Sequence, residues 1–183
     1  MIRFSKAIAA RMRRALGALA GDESGTATIE FVMFVPVFLT VFMSAFESGL
    51  LMTRQSMLER AVDVSVRELR LGWKPTHDQL KARICQLATV FPDCSTSVML
   101  ELRPISTVTW GPLDPNVKCV NRDAVIQPIV DWIQGLQNEM MLVRACSVFN
   151  PIFPITGMGL NLPLDASGGY QLAASSAFVN EPD

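Results

Sequence analysis

The sequence predicts an α+β protein in which a long N-terminal transmembrane helix continues into a stem and is followed by an antiparallel sheet with a packed helix. Three observations predict it. Residues 31–46 contain no ionisable side chain. Beyond them apolar residues keep a helical repeat as far as Leu69. From Ser97 onward the repeat changes to the two-residue alternation of strands. At 183 residues, 50% hydrophobic and 18% charged, the chain has room for one membrane segment and one modest domain. The predicted division is a basic leader at 1–25, a helix and stem at 26–72, and an α+β domain at 73–183.

The leader carries Arg3, Lys6, Arg11, Arg13 and Arg14 against Asp22 and Glu23, so within a total net charge of −1 the remainder holds −4. Positive charge beside an apolar run is retained in the cytoplasm, which sends everything after Met52 across the membrane. Such a leader reads as an orientation signal rather than a nucleic-acid patch. Ile8, Met12, Leu16 and Leu19 recur at helical spacing, so a short amphipathic helix at the membrane surface is expected. Gly21-Asp-Glu-Ser-Gly25 then breaks the pattern.

The apolar run follows. From Ile29 to Met52 a helix rising about 1.5 Å per residue spans roughly 36 Å, enough for a hydrocarbon core of roughly 30 Å. Pro36 does not oppose this, because a membrane helix tolerates proline better than a soluble one. Glu30 and Glu47 fall near the two interfaces, where a carboxylate is far less costly than at the bilayer centre. Further on, Leu58, Ala61, Val62, Ser65 and Leu69 share one face while Arg54, Glu59, Asp63, Arg67 and Arg70 lie elsewhere. Gly72 ends the stem.

Thr76 with Gln79 three residues later forms a capping box for a second helix, whose buried face is Leu80, Ile84 and Leu87 and whose end falls near Val90, ahead of Pro92. His77, on its first turn, reads as a surface residue. Val98, Leu100 and Leu102 alternate with Met99, Glu101 and Arg103, predicting a half-buried strand. Ser106–Trp110 reads as a second strand, Gly111–Pro115 as a turn and Val117–Val120 as a short third. Asp123–Asn138 is ambiguous because Pro128 and Gly135 interrupt it. Met140–Phe149 and Tyr170–Val179 read as paired antiparallel strands joined by the Pro- and Gly-rich connection 150–169, with Ser167-Gly168-Gly169-Tyr170 as a turn.

Cys85, Cys94, Cys119 and Cys146 all lie in the part predicted to be exported. Four cysteines in an oxidising compartment allow three pairings, of which Cys85–Cys94 and Cys119–Cys146 close the shortest loops, worth roughly 2–3 and 3–4 kcal/mol in the chain-entropy model. With no Cys-x-x-Cys and one histidine, neither a metal nor another cofactor is expected. The chain lacks a Gly-x-Ser-x-Gly elbow, a His-Glu-x-x-His motif, a P-loop and a Rossmann glycine pattern, so no enzyme is expected. Carboxylates such as Asp123 and Asp131 read as solvated surface.

Gly25-Thr-Ala-Thr-Ile-Glu30-Phe31 resembles the Gly-x-x-x-x-Glu-Tyr/Phe processing site of Flp pilins and of the TadE/TadF pseudopilins of tight-adherence systems. The run from Ala27 to Pro36, then Glu47-Ser-Gly49, Arg54, Ala61 and Arg67 ahead of Gly72, resembles the N-terminal half of TadE-like proteins. The stretches after Met141 and around Tyr170 are similar to the same family. The resemblance implies a minor pseudopilin of the bacterial inner membrane, cleaved after Gly25 by a prepilin peptidase and acting in assembly of Flp-type pili, with its C-terminal domain periplasmic. It implies other pilins and pseudopilins, the inner-membrane assembly platform and the lipid bilayer as partners. Cleavage would leave the new α-amino group of Thr26 at an i,i+4 position to Glu30, whose carboxylate is expected in the first turn of the new helix, where negative charge is favoured. The alternative is an uncleaved single-span envelope protein with a periplasmic scaffold or ligand-binding domain.

Overall fold

A computed structural model describes residues 17, 26–91, 93–109, 117–153, 164–165 and 167–182. The expected leader helix, Gly25, Trp110 and the turn at 111–115 lie outside the described residues. From Thr26 on, six elements follow in order among the described residues: α1 (Thr26–Arg70), α2 (His77–Leu87), α3 (Cys94–Ser97), β1 (Val98–Ile105), β2 (Met140–Phe149) and β3 (Tyr170–Val179). The chain divides into two units, Met1–Met43 and Ser44–Asp183.

Within the first unit, α1 runs through Pro36 without interruption. Its large apolar side chains are exposed on every side, Phe31, Met33, Phe34 and Val37 among them. The Thr40 hydroxyl donates to the Pro36 carbonyl at 2.7 Å, so a polar group inside the apolar stretch has a partner.

In the second unit the remainder of α1 buries Leu51, Leu58, Ala61, Val62, Ser65, Val66 and Leu69, the stripe expected for the stem together with Leu51 and Val66. The stripe packs in one core with Leu80, Ile84, Leu100, Val143, Leu172 and Phe178. Leu58, Leu80, Ile84 and Leu100 are fully buried, each contributing about 1.5–3 kcal/mol. Gly72, at φ 93°, closes α1: its amide bonds Leu69 O at 3.1 Å and the Trp73 amide bonds Glu68 O at 3.2 Å, which satisfies carbonyls the last turn leaves open. The Thr76–Gln79 capping box forms as expected. Helix α2 ends at Leu87 rather than near Val90, because Ala88 leaves helical geometry and the chain turns back to join Cys85 to Cys94.

The sheet is antiparallel with order β1-β2-β3. Leu100 faces Ala145 across β1 and β2, and Ala145 faces Ala174 across β2 and β3. Only β3 shows the expected alternation of buried and exposed side chains. Both faces of β1 and β2 are buried, Met99, Glu101, Leu142, Arg144 and Cys146 included, which corrects the half-buried reading of β1. Cys146 lies on the face turned away from the helical core, and its bond to Cys119 holds the preceding loop to that face. For that reason Val117–Val120 is irregular, not a strand.

The expected strand from Ser106 is also absent among the described residues: the Ser106 hydroxyl accepts the Thr109 amide at 3.1 Å and closes a turn. The outer edge of β1 meets the loop instead, with Leu102 N donating to Asp131 O and Ile133 N to Leu102 O, both at 2.9 Å. Pro104, two residues on, turns its nitrogen to that same edge, where no donor is required. Asp123–Asn138 contains no helix. Asn138 and Gly135 adopt left-handed geometry at φ 62° and 70°.

Candidate functional site

The apolar helix carries the first group of candidate residues. Thr26 opens α1 and Glu30 is its fifth residue, so the carboxylate stands one turn inside the helix rather than in its first turn. Glu30 and Phe31 are both exposed. Side chains four residues apart on a helix are neighbours; Phe34, Phe38 and Phe42 form a stacked series with ring centroids 6.3 and 6.4 Å apart. The segment therefore presents one acid at the head of a continuous apolar surface. Gly25, the first residue of the expected processing site, lies outside the described residues.

A second group lies farther along α1. Glu47 is buried, and its two carboxylate oxygens accept the backbone amides of Ile152 at 3.0 Å and Phe153 at 2.9 Å. Beside it the Phe46 ring meets Phe153 edge-on at 6.4 Å. Sequence reading placed Glu47 at an interface but missed this clamp. An acid bordering an apolar run followed by small residues was the only local sign, because the partners lie more than a hundred residues away.

The third group holds the domain together. The described cysteines pair as Cys85–Cys94 and Cys119–Cys146, with Cα separations of 5.6 and 5.1 Å. Arg83 of α2 donates through Nε to both oxygens of Glu68 in α1 at 3.1 and 3.0 Å, and this hydrogen bonding holds Glu68 below the usual carboxylate range. Across the sheet Glu101 lies opposite Arg144, which donates to it through Nε at 2.9 Å. Both side chains are buried, so the pair must offset its own desolvation, and Arg103 Nε adds a longer contact to Glu101 at 3.6 Å. Arg54 places its guanidinium 4.4 Å from the centre of the Phe149 ring, a cation–π contact.

Arg122 ties the loop after Cys119 to the β2–β3 connection. It donates to Asn150 and Ser167 and to Asp165 at 3.3 Å. Asp165 also accepts the Gly169 amide at 2.6 Å. Burial by itself would raise the Asp165 pKa, but the Gly169 amide, the Ser167 hydroxyl and Arg122 outweigh it and hold the group below its ordinary value. Gly169 is required by close approach: a Cβ there would lie 2.8 Å from Arg122 Cζ and from Val148 Cγ1. The expected turn at Ser167–Tyr170 is present, with Gly168 at φ 77°.

His77 is only partly exposed, its ring meeting Trp132 edge-on at 5.1 Å. The plain surface position expected for it is thus only half met. Trp73 packs against the core and lines a cavity of about 300 Å³ with Leu69, Leu102 and Phe178. Among the described residues no group of three or more His, Cys, Asp or Glu gathers where a metal could be held.

Fold and site together define a class: a protein with, among the described residues, one helix long and apolar enough to cross a membrane, joined to a small α+β domain stapled by two disulfides. Residues 25–67 match the family described as TadE-like protein, as the motif at Gly25–Phe31 and the run after it led one to expect. The match takes in the junction, the apolar helix and most of the stem, including Glu30 and Glu47, and supports a protein related to the Tad pilus. Neither the curated proteins nor the solved structures contain a match to the chain.

Proposed function

We propose that the protein is a minor pseudopilin of the TadE-like kind, cleaved after Gly25 by a prepilin peptidase and acting in assembly of Flp-type tight-adherence pili. The carrying observation is the TadE-like match that begins at Gly25 and contains Glu30 at the head of an exposed apolar helix. In this reading the chain is a single-pass protein of the bacterial inner membrane with its leader cytoplasmic and its disulfide-stapled domain periplasmic. The five leader bases and the paired cysteines support that orientation.

The mechanism is physical rather than catalytic. Until assembly the apolar helix keeps the subunit in the bilayer, and van der Waals packing then joins it to the helices of other pilins. Cleavage places a positive α-amino group on Thr26, four residues from Glu30, so the acid can answer that charge in its own chain or in a neighbouring subunit. Contacts to the inner-membrane assembly platform and to other pseudopilins fall to the domain.

N-terminal mapping of the protein, expressed with and without a prepilin peptidase, tests the reading. Thr26 is expected as the first residue when the peptidase is present and Met1 when it is not. Gly25→Ala should keep Met1, whereas Glu30→Ala should reduce pilus assembly. Met1 retained by the unaltered chain beside an active peptidase, or piliation indifferent to both substitutions, removes the support for it.

A further inference from the structure

We propose that Phe46, Ile152 and Phe153 form a second membrane contact, seated at the boundary of lipid headgroups and acyl chains and locked in place by Glu47. The inference rests on the reading of α1 as a membrane span. At about 1.5 Å per residue, about 20 helical residues cross the hydrocarbon core, so a span starting near Glu30 ends about Gly49. Phe46 lies about one turn inside that limit, and it follows Phe42 by one turn. Phe46 is 50% exposed and Ile152 is 49% exposed. Phe153 rests against Phe46, so the start of the β2–β3 connection comes to the same depth.

Irregular backbone at that depth is tolerated only when its donors are satisfied without water. The Ile152 and Phe153 amides meet the condition through Glu47. The same two bonds answer the complementary problem of a carboxylate that is 5% exposed at the end of an apolar helix. At a solvent-facing corner water would serve both groups and no clamp would be needed. The sequence agrees: no ionisable side chain occurs from Asn150 to Leu164, although 18% of the chain is charged. Lipid is the favoured occupant, because Phe46 is an exposed aromatic side chain one turn beyond Phe42 on a helix taken to lie in lipid, and interfacial contacts of this kind use aromatic and aliphatic side chains.

The test uses the full chain in phosphatidylcholine–phosphatidylglycerol vesicles, with a nitroxide attached without reductant to Ile152→Cys, and separately to Phe38→Cys and Val125→Cys. Collisions with oxygen report lipid, and collisions with a water-soluble nickel complex report solvent. The expected oxygen-to-nickel ratio at position 152 is several-fold above that at 125 and below that at 38. A lipid value at 38 with a solvent value at 152 overturns the proposal and spares the membrane-span reading; a solvent value at 38 overturns both. Shielding of 152 from both reagents with spin–spin broadening assigns the patch to a second copy and likewise overturns it. A measurement that adds no thiol repeats the comparison: the fluorescence gained in Ile152→Trp over the unaltered protein should be largely lost with acyl-brominated lipid, and its persistence also overturns the proposal.

Discussion

Single carboxylates carry much of this domain's order, and their surroundings say how each will respond to change. Glu47 accepts two amides of one chain segment, so Glu47→Ala leaves two donors without a partner and should cost about 1–3 kcal/mol. Glu47→Gln, which keeps one acceptor, should cost less. The thermal midpoint in detergent reports both, at a few degrees for each kcal/mol lost; equal midpoints for the two variants and the unaltered protein would show the clamp to be inconsequential. Asp165 gives a pH prediction. Its folded pKa is depressed, so the unfolded chain binds the proton first as pH falls, and folding stability declines with it. The contribution is complete above about pH 4, the unfolded value, and is lost as pH falls through the lower folded one. Asp165→Asn should flatten that part of the acid denaturation profile, and a profile unchanged by the substitution would count against the Arg122–Asp165 tie.

Elements formed where their signals were local. The stem's buried face and the capping box at Thr76 were legible in the sequence because the i,i+3 and i,i+4 neighbours that define them lie within a few residues of one another. The run Met140–Phe149 carried a further sign, since a nearly unbroken apolar stretch is what a strand buried on both faces requires. What could not be read was which loop would cover the second face. The Cys119–Cys146 bond that anchors this loop was legible as one of the two short closures, but Arg122 reaching Asp165 and Glu47 meeting Ile152 are contacts between distant segments that leave no period behind. Ser106–Trp110 misled for the converse reason: its composition suits a strand, but the edge beside it is taken by Asp131–Ile133. The register of β1 on β2 supplies the prediction at this scale. Arg144→Met alone leaves the buried Glu101 carboxylate with the longer Arg103 contact at 3.6 Å in place of its hydrogen-bonded partner and should cost up to about 3–5 kcal/mol, whereas Glu101→Leu with Arg144→Met should recover most of the loss. A double-mutant cycle measured by denaturant unfolding checks it; additive losses would mean that the two side chains do not depend on each other.

For the whole molecule, the proposed orientation would couple charge at one end to thiol chemistry at the other. The leader holds five bases, and the four cysteines all follow the apolar helix. If the leader stays in the cytoplasm, the cysteines enter an oxidising compartment where the two pairs can form. The longer pair, at a sequence separation of 27, is worth roughly 3–4 kcal/mol in the chain-entropy model, and its loss would release the loop that covers the second face of the sheet. Replacing Arg3, Lys6, Arg11, Arg13 and Arg14 by serine removes the orientation signal, so a fraction of chains should keep the domain in the cytoplasm with reduced thiols. Alkylation of cells with a mass-tagged maleimide, before any reductant is added, separates the two populations. The unaltered protein should take up no tag and the misoriented fraction should take up four, with faster proteolysis because its domain has lost both staples. Tagging of the unaltered chain would place its domain on the reducing side, and neither the orientation nor the proposed exposure to a cytoplasm-facing peptidase at Gly25 would stand.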